Sequence, residues 1–215
     1  MKLRTKSLAI YTMLLLGTAS FTGGCATTGV DRSVKTSNSI QDVDSEIRKI
    51  IIQSDSTEMS LDALVLSAKP DLKKSFDKYS DNLAKLDNDG QRLLKRIEEM
   101  KSRSKEYFSE WEKQGDSYTN QQIRELSEDR RVKLAEIYGR VHTAGGGIKG
   151  AYISYLTNLK EIKLYLSNDL TPKGVEAIDP VAKKAAQDLV ALKASIQPVI
   201  SALDEIKAEL YSGKK

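Results

Sequence analysis

Several stretches of this chain carry residue types that could do chemistry. Asp87-Asn88-Asp89-Gly90 supplies the oxygen donors and the turn glycine of a calcium loop. With Gly90 in the glycine position of such a loop, Lys85 and Arg96 fall where its first and last oxygen ligands must stand, so the calcium reading fails. His142 is the only histidine, so no second imidazole is available for a His-based metal cluster, and a lone helical histidine is expected to be structural. Gly145-Gly146-Gly147-Ile148-Lys149-Gly150 lacks the spacing of a phosphate loop and the Ser or Thr after its lysine. Tyr152, Tyr155 and Tyr165 could line a ligand groove, but at helical spacing they are expected in the core or at a bundle edge. Arg130 interrupts an apolar stripe; it is read as lying beyond the packed zone, the alternative being a buried partner for a carboxylate. Asp129 and Lys133 have the order and spacing of a weak helical ion pair. No two of these groups have a spacing that predicts convergence, so neither catalysis, nor a metal, nor a cofactor is expected.

The remaining reactive group is Cys25, the single cysteine. It follows Lys2, Arg4 and Lys6, an apolar run from Leu8 to Leu16 and then small residues, which is the order of a secretory signal. A membrane-spanning helix needs roughly 20 apolar residues, and Thr12, Gly17, Thr18, Ser20 and Thr22 interrupt this run. Thr22-Gly23-Gly24-Cys25 resembles the lipobox of bacterial lipoproteins, with Thr22 where an aliphatic residue is usual. That resemblance implies cleavage before Cys25, a diacylglyceryl thioether on its sulfur and acylation of the new amine. The alternative is cleavage after Ala19, leaving an unpaired thiol in an oxidising compartment. The chain is accordingly divided into a signal over 1–24, a tether over 25–36 and a helical domain over 37–215.

The intact chain has 34 basic and 30 acidic residues, a formal charge of +4. Removing Lys2, Arg4 and Lys6 with the signal leaves 31 basic residues against 30, close to neutral. Such a balance gives no support to a nucleic-acid partner, which calls for a clustered basic face. A single cysteine also rules out an intramolecular disulfide, so burial must stabilise the fold.

Helical stripes organise everything after the tether. Ile40, Val43, Ile47 and Ile50 recur at three- and four-residue steps, continue through polar Ser54 and Thr57, and resume at Leu61 and Leu64. Ser54 to Thr57 could bend or interrupt that first helix, and Lys69-Pro70 ends it. From Leu72 to Trp111 the same steps hold without a lapse, predicting one long helix closed at Gly115. A third runs from a cap at Thr119 or Asn120 to Leu166. Its stripe keeps phase from Val141 to Ile148 across the glycines, so a continuous helix is expected there, with small residues admitting a neighbour. Thr171-Pro172 starts a fourth, in which Pro180 and Pro198 are expected to produce kinks, although Asp179-Pro180 could instead restart the helix. Nothing reads as a strand. Short connections between long helices predict an all-α, elongated antiparallel bundle of about four helices with coiled-coil-like packing.

The region from about Ser75 to Leu210 resembles a bacterial family of exported helical proteins described as a domain of unknown function. Three stretches carry the likeness: Tyr107 to Glu112 with its Phe-x-x-Trp, Ile123 to Ser127, and Leu164-Tyr165-Leu166 leading through Asn168 and Leu170. Where the family prefers a basic-His-Asn run, this chain has Ser167-Asn168-Asp169, so a site built on that histidine is absent. The likeness implies a helical fold and an envelope location. The expected role is a lipid-anchored structural or adaptor protein of the bacterial cell envelope, at the outer membrane and facing the periplasm. Its expected partners are the membrane, through the lipid on Cys25, and an envelope protein or a second copy. The alternative is a small-molecule or lipid carrier with a cavity between the helices.

Overall fold

Stripes of this length must fold into long rods that bury one face each, and they do. The computed structural model describes residues 29–67 and 69–211. It contains α1 (Gly29–Val65), α2 (Leu72–Gly115), α3 (Gln121–Asn168), the short α4 (Pro172–Ala177) and α5 (Asp179–Tyr211), with one 3-10 turn at Lys69–Asp71. No strand occurs among the described residues. The 44 residues of α2 make a rod of roughly 66 Å.

Helix ends are set by local chemistry. The Asn120 side chain accepts a 3.2 Å bond from the Ile123 amide and caps α3. Thr171 caps α4 through the Gly174 amide at 3.1 Å, with Pro172 in the first turn where its missing N–H costs nothing.

Contacts between helices run in opposite senses along each neighbouring pair. Gln53 meets Asn82 and Asp42 meets Arg96 across α1 and α2. Tyr79 meets Leu159 and Trp111 meets Ser127 across α2 and α3. Ser154 meets Asp188 and Arg130 meets Glu209 across α3 and α5. Asp55 meets Lys193 and Ser37 meets Tyr211 across α1 and α5. The result is an up-down-up-down bundle in which α1, α2, α3 and α5 form a closed ring of antiparallel neighbours. One continuous core runs along its axis, from Ile40 and Ile206 through Tyr155 and Leu192 to Leu64, Leu166 and Val175.

Four expectations change. The stretch 25–36 read as a tether is helical from Gly29, and Thr36 is buried. The polar middle of the first helix does not break it: Ser54, Thr57 and Ser60 are buried within a continuous α1. The fourth helix is not one kinked rod. It stops at Ala177 and restarts at Asp179, where the Ile178 carbonyl accepts from both Val181 and Ala182 (3.0 and 2.9 Å) and Pro180 occupies the first turn. Pro180 is therefore tolerated as a helix starter, whereas Pro198 does lie inside α5. Finally, the glycines of α3 are continuous helix as expected, but the expected close neighbour exists at only one of them.

Candidate functional site

The polar residues that interrupt the α1 stripe form a layer across the middle of the bundle. Gln53 Nε2 donates to the Asn82 carbonyl at 3.0 Å, and Asn82 Nδ2 donates back to the Ser56 carbonyl at 3.2 Å. Thr57 Oγ1 donates to the Gln53 carbonyl at 2.7 Å, the ordinary way a buried helical threonine is satisfied. From α3, the Tyr155 hydroxyl lies 3.3 Å from the Ser54 carbonyl and 3.1 Å from Glu58 Oε2. Tyr79 Oη donates to the Leu159 carbonyl at 2.6 Å. Burial raises the Glu58 carboxyl above its usual range, against the opposing effect of the Tyr155 hydrogen bond. Burial likewise raises the Tyr79 and Tyr155 hydroxyls far beyond physiological pH, so both remain neutral donors. These side-chain donors tie α1, α2 and α3 to main-chain carbonyls of neighbouring helices, with the Glu58 carboxyl as a side-chain acceptor among them.

A second cluster joins α3 to α5. Asp188 is buried and accepts from Asn158 Nδ2 at 2.6 Å and from Ser154 Oγ at 3.1 Å, while Lys184 pairs with its other oxygen. Burial pushes the Asp188 carboxyl up, but Lys184 and the two hydrogen bonds outweigh it and hold the carboxyl below its usual range. On α1, buried Glu46 pairs with Lys49 at 2.8 Å and Arg92 at 3.5 Å. Asp188 thus has its partners on α3 and α5, whereas Glu46 Oε2 and, in the first layer, the hydroxyl of buried Ser54 are buried without a hydrogen-bond partner.

The residues singled out in the sequence are spread along the rod. Cys25 lies outside the described residues. Asp87 to Gly90 are an uninterrupted part of α2, with Asp87 paired to Lys160 at 2.7 Å and Asp89 to Arg92. Gly90 has a steric role: a side chain there would overlap the ring of Tyr152, which packs directly over the α2 backbone. Tyr152 Oη reaches the Leu86 and Asp87 carbonyls at 3.2 and 3.3 Å. Tyr152 and Tyr155 are core, whereas Tyr165 is exposed at the edge of a cleft of about 270 Å³ with Ile178 and Val181. Gly145 packs 3.0 Å from Ile97 Cγ2, measured from where its Cβ would stand, but Gly146, Gly147 and Gly150 face open space. His142 is half-buried beside Gly145 in an open recess of about 280 Å³. No group of His, Cys, Asp and Glu among the described residues could hold a metal ion.

Arg130 is not beyond the packed zone: it pairs with Glu209 and donates to the Glu209 carbonyl at 2.6 Å. Lys133 also pairs with Glu209, at 2.7 Å, in place of the expected Asp129 pair. Glu58, Asp188 and Asn82 were not singled out from the sequence. The available signal was weak, a polar residue beside a stripe position, and each partner lies on another helix.

The model of a protein family of unknown function, DUF2959, matches residues 29–210, the whole of the helical bundle. The chain belongs to this family. No curated protein and no solved structure matches it. Two of the three stretches that carried the resemblance meet in space, since Trp111 Nε1 donates to Ser127 Oγ at 2.8 Å across the α2–α3 turn. Tyr107, Phe108 and Trp111 pack their rings together there, and Phe108 meets Tyr138 edge-on at 5.3 Å. The pattern thus marks a helical hairpin lock. Among the described residues, no helix is long and apolar enough to cross a membrane.

Proposed function

We propose that this protein is held at the bacterial envelope by lipid on Cys25, at the outer membrane and facing the periplasm. There it serves as a structural or adaptor component that binds another envelope protein or a second copy, and catalyses no reaction. The observation that supports a structural role is how the helices use their polar groups. Tyr79, Tyr152, Tyr155, Asn82 and Asp188 are each bound to a carbonyl or side chain of a neighbouring helix. The anchor reading is supported by the signal-like order before Cys25 and by its position four residues before the first turn of α1.

Intact-mass analysis of the mature protein tests the anchor: an acylated Cys25 as first residue is expected, and a chain starting at Ser20 would refute it. Crosslinking at native expression tests the adaptor role. Recovery of a specific partner or a self-dimer is expected, and recovery of neither refutes it.

A further inference from the structure

At the end of the bundle where α1 begins, α5 is shorter than the helices around it. Its last described residue, Tyr211, contacts Ser37 of α1, and its Glu209 meets Arg130 of α3. Gly29–Thr36 and the first turns of α3 therefore run on past α5, α1 by about 12 Å. Val30 and Val34 share the helical face of Ser37, while Ile123 and Leu126 share that of Arg130. These are the positions a longer α5 would cover. Without it Val30 is 73% exposed, Val34 53%, Ile123 46% and Leu126 60%. At the same end a cleft of about 390 Å³ is lined by Arg32, Lys35, Arg103, Thr36, Glu106 and Tyr107.

We propose that this open end seats on an anionic phospholipid bilayer, with Val30, Val34, Ile123 and Leu126 entering the headgroup–acyl boundary and Arg32, Lys35 and Arg103 meeting lipid phosphates. The inference rests on Cys25 being the lipid anchor. Gly29 follows Cys25 by four positions, a span of at most about 14 Å. An acylated Cys25 therefore brings this end to the headgroups, while the opposite end of the rod is several times farther away. Apolar side chains of interfacial helices enter the boundary to a depth of roughly 5–10 Å, with cations beside them. Glu106 lies in the same cleft and Arg32 also acts on Glu110, so the net attraction is modest and the apolar side chains do most of the seating.

Trp111 is the only tryptophan and lines a recess at this end with Gly29 and Arg32, which makes it a built-in reporter. The acylated full-length protein is placed in vesicles of phosphatidylethanolamine and phosphatidylglycerol, with brominated or ordinary acyl chains. Bromination is expected to lower Trp111 emission at least twofold. The doubly substituted Val34→Asp, Leu126→Asp protein is expected to lose most of that quenching while still floating with the vesicles through its anchor. Both positions are exposed, and a melt by circular dichroism verifies that the variant is folded. Absence of quenching in the acylated wild type overturns the proposal, as does quenching that the double variant retains. Sedimentation showing a wild-type dimer that the double variant dissolves, without quenching, would assign the same surface to a second copy and also overturn it. If intact mass shows no acyl group, the anchor reading has failed by itself. The same vesicles then decide the surface with Cys25→Ser protein: flotation at least fivefold weaker in the double variant supports the seat, and no flotation overturns it.

Discussion

Glycine-to-alanine substitutions along α2 and α3 give opposite results depending on what each glycine faces. A Cβ at Gly146 or Gly147 meets nothing within 4 Å. Alanine there restricts the unfolded chain and improves helix propensity without a clash, a gain of about 0.5–1 kcal/mol per site. For a domain of this size 1 kcal/mol corresponds to about 2–4 °C. The double variant Gly146→Ala, Gly147→Ala is therefore expected to melt roughly 2–8 °C higher. At Gly145 the new methyl would stand 3.0 Å from Ile97 Cγ2, so the gain is offset by repacking and little net change is expected.

Gly90 lies at the other extreme. A methyl there overlaps the buried Tyr152 ring, whose hydroxyl is tied to the Leu86 and Asp87 carbonyls. Overpacking costs about 1–3 kcal/mol and exceeds the helix gain, so Gly90→Ala is expected to lose about 1–2 kcal/mol. Trimming the ring with Tyr152→Leu should make the pair less than additive. Thermal melts by far-UV circular dichroism, with urea titrations for the free energies, read all of these variants. A lower melting temperature in the Gly146, Gly147 double variant would refute the open helical face. An unchanged Gly90→Ala would refute the seating of Tyr152.

Three further outcomes follow from the electrostatics and hydrogen bonds. Burial raises the Glu58 carboxyl above its reference value of 4.5, so its ionisation costs stability as pH rises from there through the raised folded value. Glu58→Gln should remove that loss, and urea midpoints from about pH 4 to pH 7 that stay parallel to wild type would contradict it. Asp188 is held below its reference value of 3.8, so its contribution is present above that pH and lost as pH falls through the depressed folded value. Asp188→Asn should cost about 1–3 kcal/mol at neutral pH and flatten the acid limb of the stability curve. Ser127→Ala removes the acceptor 2.8 Å from Trp111 Nε1; a loss of about 1 kcal/mol and a shift in Trp111 emission are expected.

What could be read from the sequence was what repeats along one helix. The α2 stripe predicted its burial almost residue by residue, from Leu72 through Met100; it departs at Phe76, which is half-buried, and at the end, where Phe108 is buried and Tyr107 is half-buried. The phase across Gly145 to Gly147 correctly overrode three unfavourable propensities, because burying Val141 and Ile148 on one face requires helix between them. What could not be read was anything decided between helices. Pro180 fits either a kink or a restart; the hydrogen bonds from Val181 and Ala182 to the Ile178 carbonyl decide for a restart. Arg130 looked surplus on its stripe because Glu209, which accepts its charge, is 79 residues away. Cys25 and the rest of 1–28 lie outside the described residues, so the anchor remains a reading of the sequence.

The polar layer has a physical reason that the stripes do not supply. Apolar positions repeating every seven residues allow a helix to slide by one heptad and still bury an apolar face. A slide of α3 would carry Tyr155 about 10 Å along the axis, away from Ser54 and Glu58, and would take Tyr79 away from the Leu159 carbonyl. Each buried donor stranded this way costs about 1–3 kcal/mol, so the layer penalises wrong registers even where it adds little to the right one. Replacing Glu58 and Tyr155 together by leucine removes both partners and leaves no stranded group between them. Helicity and melting temperature should then stay close to wild type while amide resonances near Ser54, Asn82 and Leu159 broaden or double. Sharp, single resonances in that variant would mean that apolar packing already fixes the register and that the layer is dispensable for it.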